Sequence, residues 1–179
     1  SELMTFVRDA ADVLTKKGAD AFPEFRTEGS KWYRDDLYLF VYTMDGLRIL
    51  QPPEPESEGR NYRDIKDALG RPVVEMILDI GRTESGEGWI HYVYPEPGSL
   101  FPTWKSSFMK RVTFPSGEPH MVGAGIYNMK MEKAFIEDLV NRAAELISER
   151  GREAFDRLRD PKGPFPVSYT HLTLPTNRE

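Results

Sequence analysis

The sequence lacks cysteine altogether, although it is 179 residues long. Disulfides, thiolate metal sites and a cysteine nucleophile are therefore excluded. It also lacks any run of roughly 18 consecutive apolar residues, so no membrane-spanning helix is predicted. Basic residues are in the minority, because 24 Lys and Arg stand against 29 Asp and Glu. The resulting net charge of −5 provides no field to attract nucleic acid, which we exclude as a partner.

Catalytic signatures are absent as well. There is no nucleophile elbow, no glycine loop to hold phosphate and no metal-binding triplet. The acidic residues Asp79, Glu84 and Glu87 lie at or near a predicted helix end, where solvated charge is the usual role. We expect His91 and His120 to be surface residues, since neither has a second metal-type residue at a ligand spacing. The sequence thus predicts no enzyme, no cofactor and no metal site.

Two segments near the ends of the chain match each other without a gap. Val7–Phe22 and Val140–Phe155 share Val, two Ala, Gly, Ala and Phe at a constant offset (140 − 7 = 133). Chance similarity of two amphipathic helices is the alternative, but a helix-unfavourable glycine at the same place argues for a repeat. We therefore predict one complete module over residues 3–132 and the first helix of a second copy over residues 133–166.

The termini suggest that the sequence is a piece of a longer protein. It opens with Ser1 rather than Met, and no export signal is visible. Residues 167–179 resemble the translation of a sequencing-library adapter, with an ordinary polar terminus as the alternative. No function is therefore assigned to His171.

Hydrophobic patterning predicts an α+β domain. Apolar residues at helical spacing over Phe6–Phe22 indicate a first helix, and Asp45-Gly46 joins two strand-like runs as a hairpin. A second helix follows Pro72, and a long helix runs from Met129 to about Arg159. The five predicted strands cover residues 37–44, 47–51, 89–94, 104–114 and 119–127. Hairpin-type connections favour an antiparallel, PAS-like sheet of five strands with long N-terminal and C-terminal helices.

Several short motifs in order resemble the Cache family of sensor domains. They are Leu39-Phe40-Val41-Tyr42 with Asp45-Gly46, Leu50-Gln51-Pro52, Gly59-Arg60-Asn61, Gly86 to Pro97, Lys105-Ser106-Ser107-Phe108-Met109-Lys110, and Val122-Gly123-Ala124-Gly125-Ile126-Tyr127. The resemblance implies an extracytoplasmic domain, periplasmic or extracellular, that senses a small organic ligand. The parent would be a chemoreceptor, a sensor kinase or a tandem-Cache periplasmic protein.

Three positions depart from the family pattern. Gln51 stands where the family has histidine, Phe108 where it has tyrosine, and Tyr94 where it has tryptophan. These positions tend to line the family's ligand pocket. The ligand can therefore differ from the small carboxylates that such domains often bind.

A ligand pocket needs an apolar wall with a few convergent polar groups. Strand alternation places Tyr92 and Tyr94 on one face, and Lys105 on the next strand suits an anionic group such as a carboxylate. The predicted ligand-binding residues are Tyr42, Gln51, Tyr92, Tyr94, Lys105 and Phe108. Core packing is the alternative for each aromatic residue, and a solvated strand edge is the alternative for Lys105. Trp89 is expected to pack in the core.

The leading functional prediction is a small-molecule sensing module. A ligand-free scaffold or interaction domain is the second hypothesis, because Gln51 and Phe108 depart from the family pattern. A hydrolytic enzyme is the third and least supported. A membrane-anchored parent protein and a homodimer through the long helices are further expectations about partners.

Overall fold

The computed structural model describes residues 2–159, without the side chains of residues 128–136 and 159. His171 and the predicted adapter-derived tail lie outside the described residues. Contacts divide the chain into two compact units, Ser1–Lys133 and Ala134–Glu179. None of the helices within residues 2–159 is long and apolar enough to cross a membrane.

The first unit combines helices with one antiparallel sheet. Its helices are α1 (Glu2–Lys17), α2 (Phe22–Arg26) and α3 (Val73–Arg82). Its strands are β1 (Tyr33–Arg34), β2 (Leu37–Thr43), β3 (Arg48–Leu50), β4 (Glu87–Pro95), β5 (Pro102–Thr113) and β6 (Pro119–Tyr127). The helix α4 (Asn128–Arg150) begins at the end of β6.

The strand order of the sheet is β1-β2-β6-β5-β4, with β3 paired to β2. All pairs are antiparallel, and β2 meets β6 in the middle of the sheet although about 80 residues separate them in sequence. The hairpin from β2 to β3 turns at Gly46, which has a φ of +94° and donates its N–H to the carbonyl of Thr43. The α+β fold with an antiparallel, PAS-like sheet is therefore confirmed.

Each face of the sheet is covered by a different helix. Helix α1 packs on one face through Val7, Ala10, Ala11 and Leu14, which recur at helical spacing and are buried. Its alanines let the helix lie close to β5 and β6. Helix α3 covers the other face through Val74, Ile77 and Leu78. The two faces therefore contain separate apolar clusters.

Three features differ from the prediction. The short strand β1 was not predicted; it pairs with β2 through a two-residue turn in which Asp35 has a φ of +52°. His91 and His120 were expected at the surface but are buried, since His91 Nδ1 lies 2.7 Å from Ser106 Oγ and the His120 ring stacks on Phe114. Both imidazoles thus have contacts inside the domain, so the expectation that these histidines lie at the surface was wrong.

The predicted long helix at the C-terminal end is interrupted. Helix α4 ends at Arg150, a 3-10 turn spans Gly151–Glu153, and helix α5 spans Ala154–Arg159. Gly151 has a φ of +56°, a backbone conformation that other residues seldom adopt, and this breaks the helix.

Candidate functional site

A cavity of about 290 Å³ lies between the α3 face of the sheet, helix α3 and the segment that connects β3 to α3. That volume is at the small end of the range for pockets that bind small molecules. The connecting segment, residues 52–71, will be called the strap. The cavity thus has a rigid sheet floor and a cover made of irregular chain.

The strap is tied to the sheet at two places. Near its middle, Gly59 donates its N–H to the carbonyl of Arg48, which pairs this part of the strap with β3. Near its end, Asp67 accepts the N–H of Val93 at 3.1 Å, and Arg71 donates to the carbonyl of His91 at 2.7 Å. Side chains of the strap therefore satisfy backbone groups on the exposed edge of β4, which would otherwise invite pairing with another strand.

Strand alternation determines which side chains reach the cavity. In β2, Tyr38 and Tyr42 point toward the α3 face, while Leu39 and Val41 point toward α1. In β4, Tyr92 and Tyr94 belong to the α3 face. Seven aromatic or basic side chains of the sheet meet there: Tyr38, Phe40, Tyr42, Arg48, Tyr92, Tyr94 and Lys105.

Lys105 lies at the bottom of this cavity and is the most unusual residue in it. Its side chain is 1% exposed, because β5 is an interior strand of the sheet and its α3 face is covered. The Nζ atom donates to the hydroxyl oxygen of Tyr38 at 2.7 Å and to that of Tyr127 at 2.9 Å. The rings of Tyr38 and Tyr127 also lie within cation–π distance of Nζ, at 4.3 and 4.6 Å. Neutral oxygens and aromatic faces therefore surround the amine.

Space for Lys105 comes from a glycine in the neighbouring strand. Gly125 of β6 pairs with Ser107 beside Lys105, and a Cβ atom built on it would lie 2.4 Å from Lys105 Cε. The same Cβ would lie 2.4 Å from Ser107 Oγ. Any side chain at position 125 would therefore force the lysine or the strand to move.

Arg48 forms a second basic centre in the same cavity. Its Nε donates to the hydroxyl of Tyr42 at 2.8 Å, and its Nη1 donates to Ser57 Oγ at 3.0 Å. The guanidinium lies 4.0 Å from the ring centroid of Tyr62 and 3.8 Å from Glu54. Unlike Lys105, Arg48 is thus already paired with a carboxylate and stacked on an aromatic ring.

Burial shifts the ionisation of the cavity groups. It lowers the pKa of Lys105 well below its usual value, and the nearby charge of Arg48 adds to the effect. Burial also raises the pKa of Tyr38 to about 12, and it raises the pKa values of Tyr92 and Tyr94. The tyrosines therefore remain neutral near pH 7, and they supply no negative charge to balance the lysine.

Most of the predicted site residues converge. Tyr42, Gln51, Tyr92, Tyr94 and Lys105 all line the cavity, so the structure brings together five of the six. Their contact with a ligand stays a prediction. The alternative for Lys105, a solvated strand edge, does not hold, because the side chain is fully buried.

Phe108 does not belong to this cavity. It lies on the opposite face of the sheet, where its ring packs edge-on against Trp89 at 5.5 Å and under Arg8 of α1. The physical reason is the strand alternation itself, because residues 105 and 108 of one continuous strand cannot share a face. The assignment of Phe108 to the ligand site was therefore wrong, whereas the expected core packing of Trp89 is found.

Sequence reasoning missed several residues of the site. Tyr38 was detectable, because it lies two positions before Phe40 and four before Tyr42 on one face of β2. Arg48, Glu54 and Tyr62 carried no local signal, since they reach the cavity through the hairpin and the strap. Tyr127, at the end of β6, carried none either; it contacts the Lys105 amine. No group of three or more His, Asp or Glu side chains in the described residues could hold a metal ion.

Comparison with known proteins places this geometry among sensor domains. A family model described as a Cache domain matches residues 27–155. A solved structure titled "Structural basis for carboxylic acid recognition by a Cache chemosensory domain" is 27% identical, with a TM-score of 0.53 over 71% of this chain and 84% of that one.

Two further solved structures share the fold. One is described as the periplasmic sensor domain of a chemotaxis protein; it is 22% identical, with a TM-score of 0.55 over 70% of this chain and 88% of that one. The other is a methyl-accepting chemotaxis protein from Vibrio parahaemolyticus, 22% identical, with a TM-score of 0.52 over 69% of this chain and 79% of that one.

Proposed function

The chain belongs to the Cache domain family, and we propose that it is an extracytoplasmic sensing domain that binds a small organic ligand bearing a carboxylate. The parent is a signal-transduction protein such as a chemoreceptor or a sensor kinase. The relative whose title names carboxylic acid recognition supports the ligand class, because it is 27% identical to this chain and the match covers 84% of its length.

One observation carries the proposal: the fully buried Lys105 amine lines the cavity. A buried charge is strongly disfavoured unless a counter-charge accompanies it. An ammonium group has three N–H donors, and two of them go to Tyr38 and Tyr127. A ligand carboxylate that accepts the third would supply the missing negative charge.

The rest of the cavity sets the size and shape of the ligand. Its volume of about 290 Å³ suits a small metabolite rather than a peptide or a cofactor. Apolar contacts are available from Phe40, Val74 and Ile77, and Gln51 and Tyr94 offer neutral hydrogen-bonding groups. The ligand should therefore carry its charge at one end and a short, mostly apolar body at the other.

A thermal-shift screen against small organic acids, amino acids and amines tests this proposal. Carboxylates should raise the melting temperature, while amines without a carboxylate should not. Lys105→Met should abolish the shift by removing the amine that attracts an anion to the bottom of the cavity. Lys16→Met is the matched control, because Lys16 is exposed on α1 and away from the cavity.

Two results would contradict the proposal. The first is that no carboxylate in the screen stabilises the protein. The second is that the carboxylate-induced shift survives in Lys105→Met, which would place the ligand elsewhere on the chain.

We also propose that the second unit begins another copy of the same module. Helix α1 ends at Lys17, Gly18 has a φ of +54°, and a 3-10 turn leads into α2. Helix α4 ends at Arg150, Gly151 has a φ of +56°, and a 3-10 turn leads into α5. The backbone features thus recur at the same offset as the sequence match (151 − 18 = 133). Local structure and sequence both support the repeat.

The repeat predicts which exposed apolar residues of the second unit would be buried in a complete second module. Ile147 corresponds to Leu14 at the common offset; Leu14 is fully buried against the sheet, whereas Ile147 is 40% exposed. Ile147→Asp should therefore have little effect on the stability of this chain, while Leu14→Asp should unfold the first unit. In the natural product of the gene, Ile147→Asp should destabilise a second domain. If Ile147→Asp also leaves the stability of that longer protein unchanged, the proposed repeat is contradicted.

A further inference from the structure

The Lys105 amine faces no carboxylate within salt-bridge distance among the side chains that the structure describes. Its neighbours come from three strands: Tyr38 in β2, Tyr94 in β4 and Tyr127 in β6. Tyr92 lies opposite Lys105 in the β4–β5 pairing, but its hydroxyl oxygen is 3.0 Å from Ser107 Oγ, with which it forms a hydrogen bond. The charged groups that influence the amine from further away are Arg48, Glu54 and Asp36.

These surroundings favour the neutral form of the amine. The hydroxyls of Tyr38 and Tyr127 accept hydrogen bonds from either form. Their rings attract only the charged form, but desolvation penalises that form more strongly. Glu54 does not compensate, because it is already engaged by the hydroxyl of Tyr94 at 3.0 Å and by Arg48. In keeping with this geometry, burial lowers the pKa of Lys105 well below its usual value.

We propose that binding of an anion in the cavity is coupled to the uptake of one proton by the Lys105 amine. The inference rests on the proposed carboxylate-binding function and adds a second input to it. The neutral amine takes a proton from solvent, and the resulting ammonium pairs with the bound carboxylate. The proton and the ligand charge enter the cavity together, so the site gains no net charge and no group is oxidised or reduced.

Proton coupling makes the sensor respond to acidity as well as to its ligand. Affinity falls by about tenfold per pH unit between the pKa of Lys105 in the free protein and its higher pKa in the complex. Over that range, the same ligand concentration occupies more of the sensor in acidic surroundings. Outside that range the affinity no longer depends on this group.

The experiment observes Lys105 directly by NMR of the protein carrying lysine labelled with ¹³C at Cε. Acetate serves as the probe, since it is among the smallest carboxylates and fits a cavity of this size. Without acetate, the Lys105 signal should titrate at a lower pH than every exposed lysine. Saturating acetate should move its titration upward, and Lys105→Met identifies the signal by its loss.

Calorimetry of acetate binding in buffers of different ionisation enthalpy gives the number of protons taken up. We expect about one proton between the two Lys105 titration points and none in Lys105→Arg, because a guanidinium stays charged at any such pH. Lys16→Met should keep the wild-type proton number, since Lys16 is exposed.

Two outcomes overturn the inference alone. In one, Lys105 titrates with the exposed lysines in the free protein. In the other, acetate raises the melting temperature but neither moves the Lys105 titration nor changes the proton number. If acetate and all other carboxylates fail to stabilise the protein, the proposed function fails with it. The two failures are therefore distinguishable.

Discussion

Replacing the buried lysine with methionine should make the protein more stable while removing its ligand binding. Lys105→Met keeps an unbranched side chain of similar length, so the space beside Gly125 stays filled. It also leaves no hydroxyl without a partner. The hydroxyl oxygens of Tyr38 and Tyr127 are 3.0 Å apart, and the Tyr127 hydroxyl donates to the carbonyl of Pro95 at 3.2 Å. In the variant, the Tyr38 hydroxyl can therefore still donate to Tyr127 while Tyr127 donates to Pro95.

The magnitude follows from the desolvation that the variant no longer requires. Replacement of a buried ion pair by apolar residues of similar volume ranges from neutral to stabilising by about 1–4 kcal/mol, and Lys105, whose amine has no carboxylate partner to lose among the described side chains, should lie at the stabilising end. The unfolded lysine titrates near its usual value and the folded one below it, so the unfolded state binds more protons between these two values. Wild-type stability therefore rises with pH in that interval, by about 1.4 kcal/mol per pH unit. The gain in the free energy of unfolding from Lys105→Met should be largest at low pH. It should shrink as pH approaches the pKa of this lysine in the unfolded chain.

Urea unfolding at several values between about pH 6 and about pH 9 tests both parts of this expectation. The upper limit avoids the range in which the unfolded tyrosines begin to ionise. Lys16→Met, at an exposed position, should change the free energy of unfolding by less than about 0.5 kcal/mol and add no pH dependence. If Lys105→Met instead lowers the free energy of unfolding by more than about 1 kcal/mol, the lysine stabilises the fold and the reasoning is wrong.

Three other substitutions probe the neighbouring claims. Gly125→Ala should destabilise the domain by about 1–3 kcal/mol in urea unfolding, because its Cβ would lie 2.4 Å from Lys105 Cε. It should also weaken carboxylate binding, and unchanged binding would contradict the packing argument. Phe108→Leu should lower the melting temperature but leave ligand affinity unchanged in calorimetry, and a loss of affinity in the folded variant would return Phe108 to the site. Glu87→Gln should be slightly less stable than wild type above about pH 4.5 and should lose that deficit in acid. Arg8 and Lys110 leave the folded carboxyl with a pKa of about 2, so wild type loses this contribution as pH falls from about 4.5 toward about 2. The two proteins should converge in stability over that interval, and because the pair is partly exposed the difference at neutral pH should stay below about 1 kcal/mol.

The fold could be predicted to a considerable depth from local patterns. The apolar and aromatic run from Leu37, the Asp45-Gly46 turn and the three later strands each depend on nearby residues, and the structure confirms them. The short strand β1 escaped because a two-residue strand has no periodicity to detect. Gly151 was visible, but its helix-breaking conformation depends on a backbone choice that composition alone does not specify.

The site was only partly predictable, and one error was avoidable. Lys105 and Phe108 lie three positions apart in a single strand, so they must point to opposite faces. Strand alternation by itself is therefore sufficient to exclude Phe108 from a pocket that contains Lys105. The same rule includes Tyr38 in that pocket, since it shares a face with Tyr42.

The sequence by itself determined the class of the domain, the order of its strands along the chain and the tyrosine-rich face of β2 and β4. These depend on alternation, turn chemistry and short motifs, which act over a few residues. Only the tertiary structure decided that Lys105 is buried, that Tyr127 joins Tyr38 around it and that Arg48 and the strap complete the cavity. Those contacts join residues that are distant in sequence, because β6 inserts between β2 and β5. The environment of a charge depends on every element packed around it, and that environment exists only once the sheet has assembled.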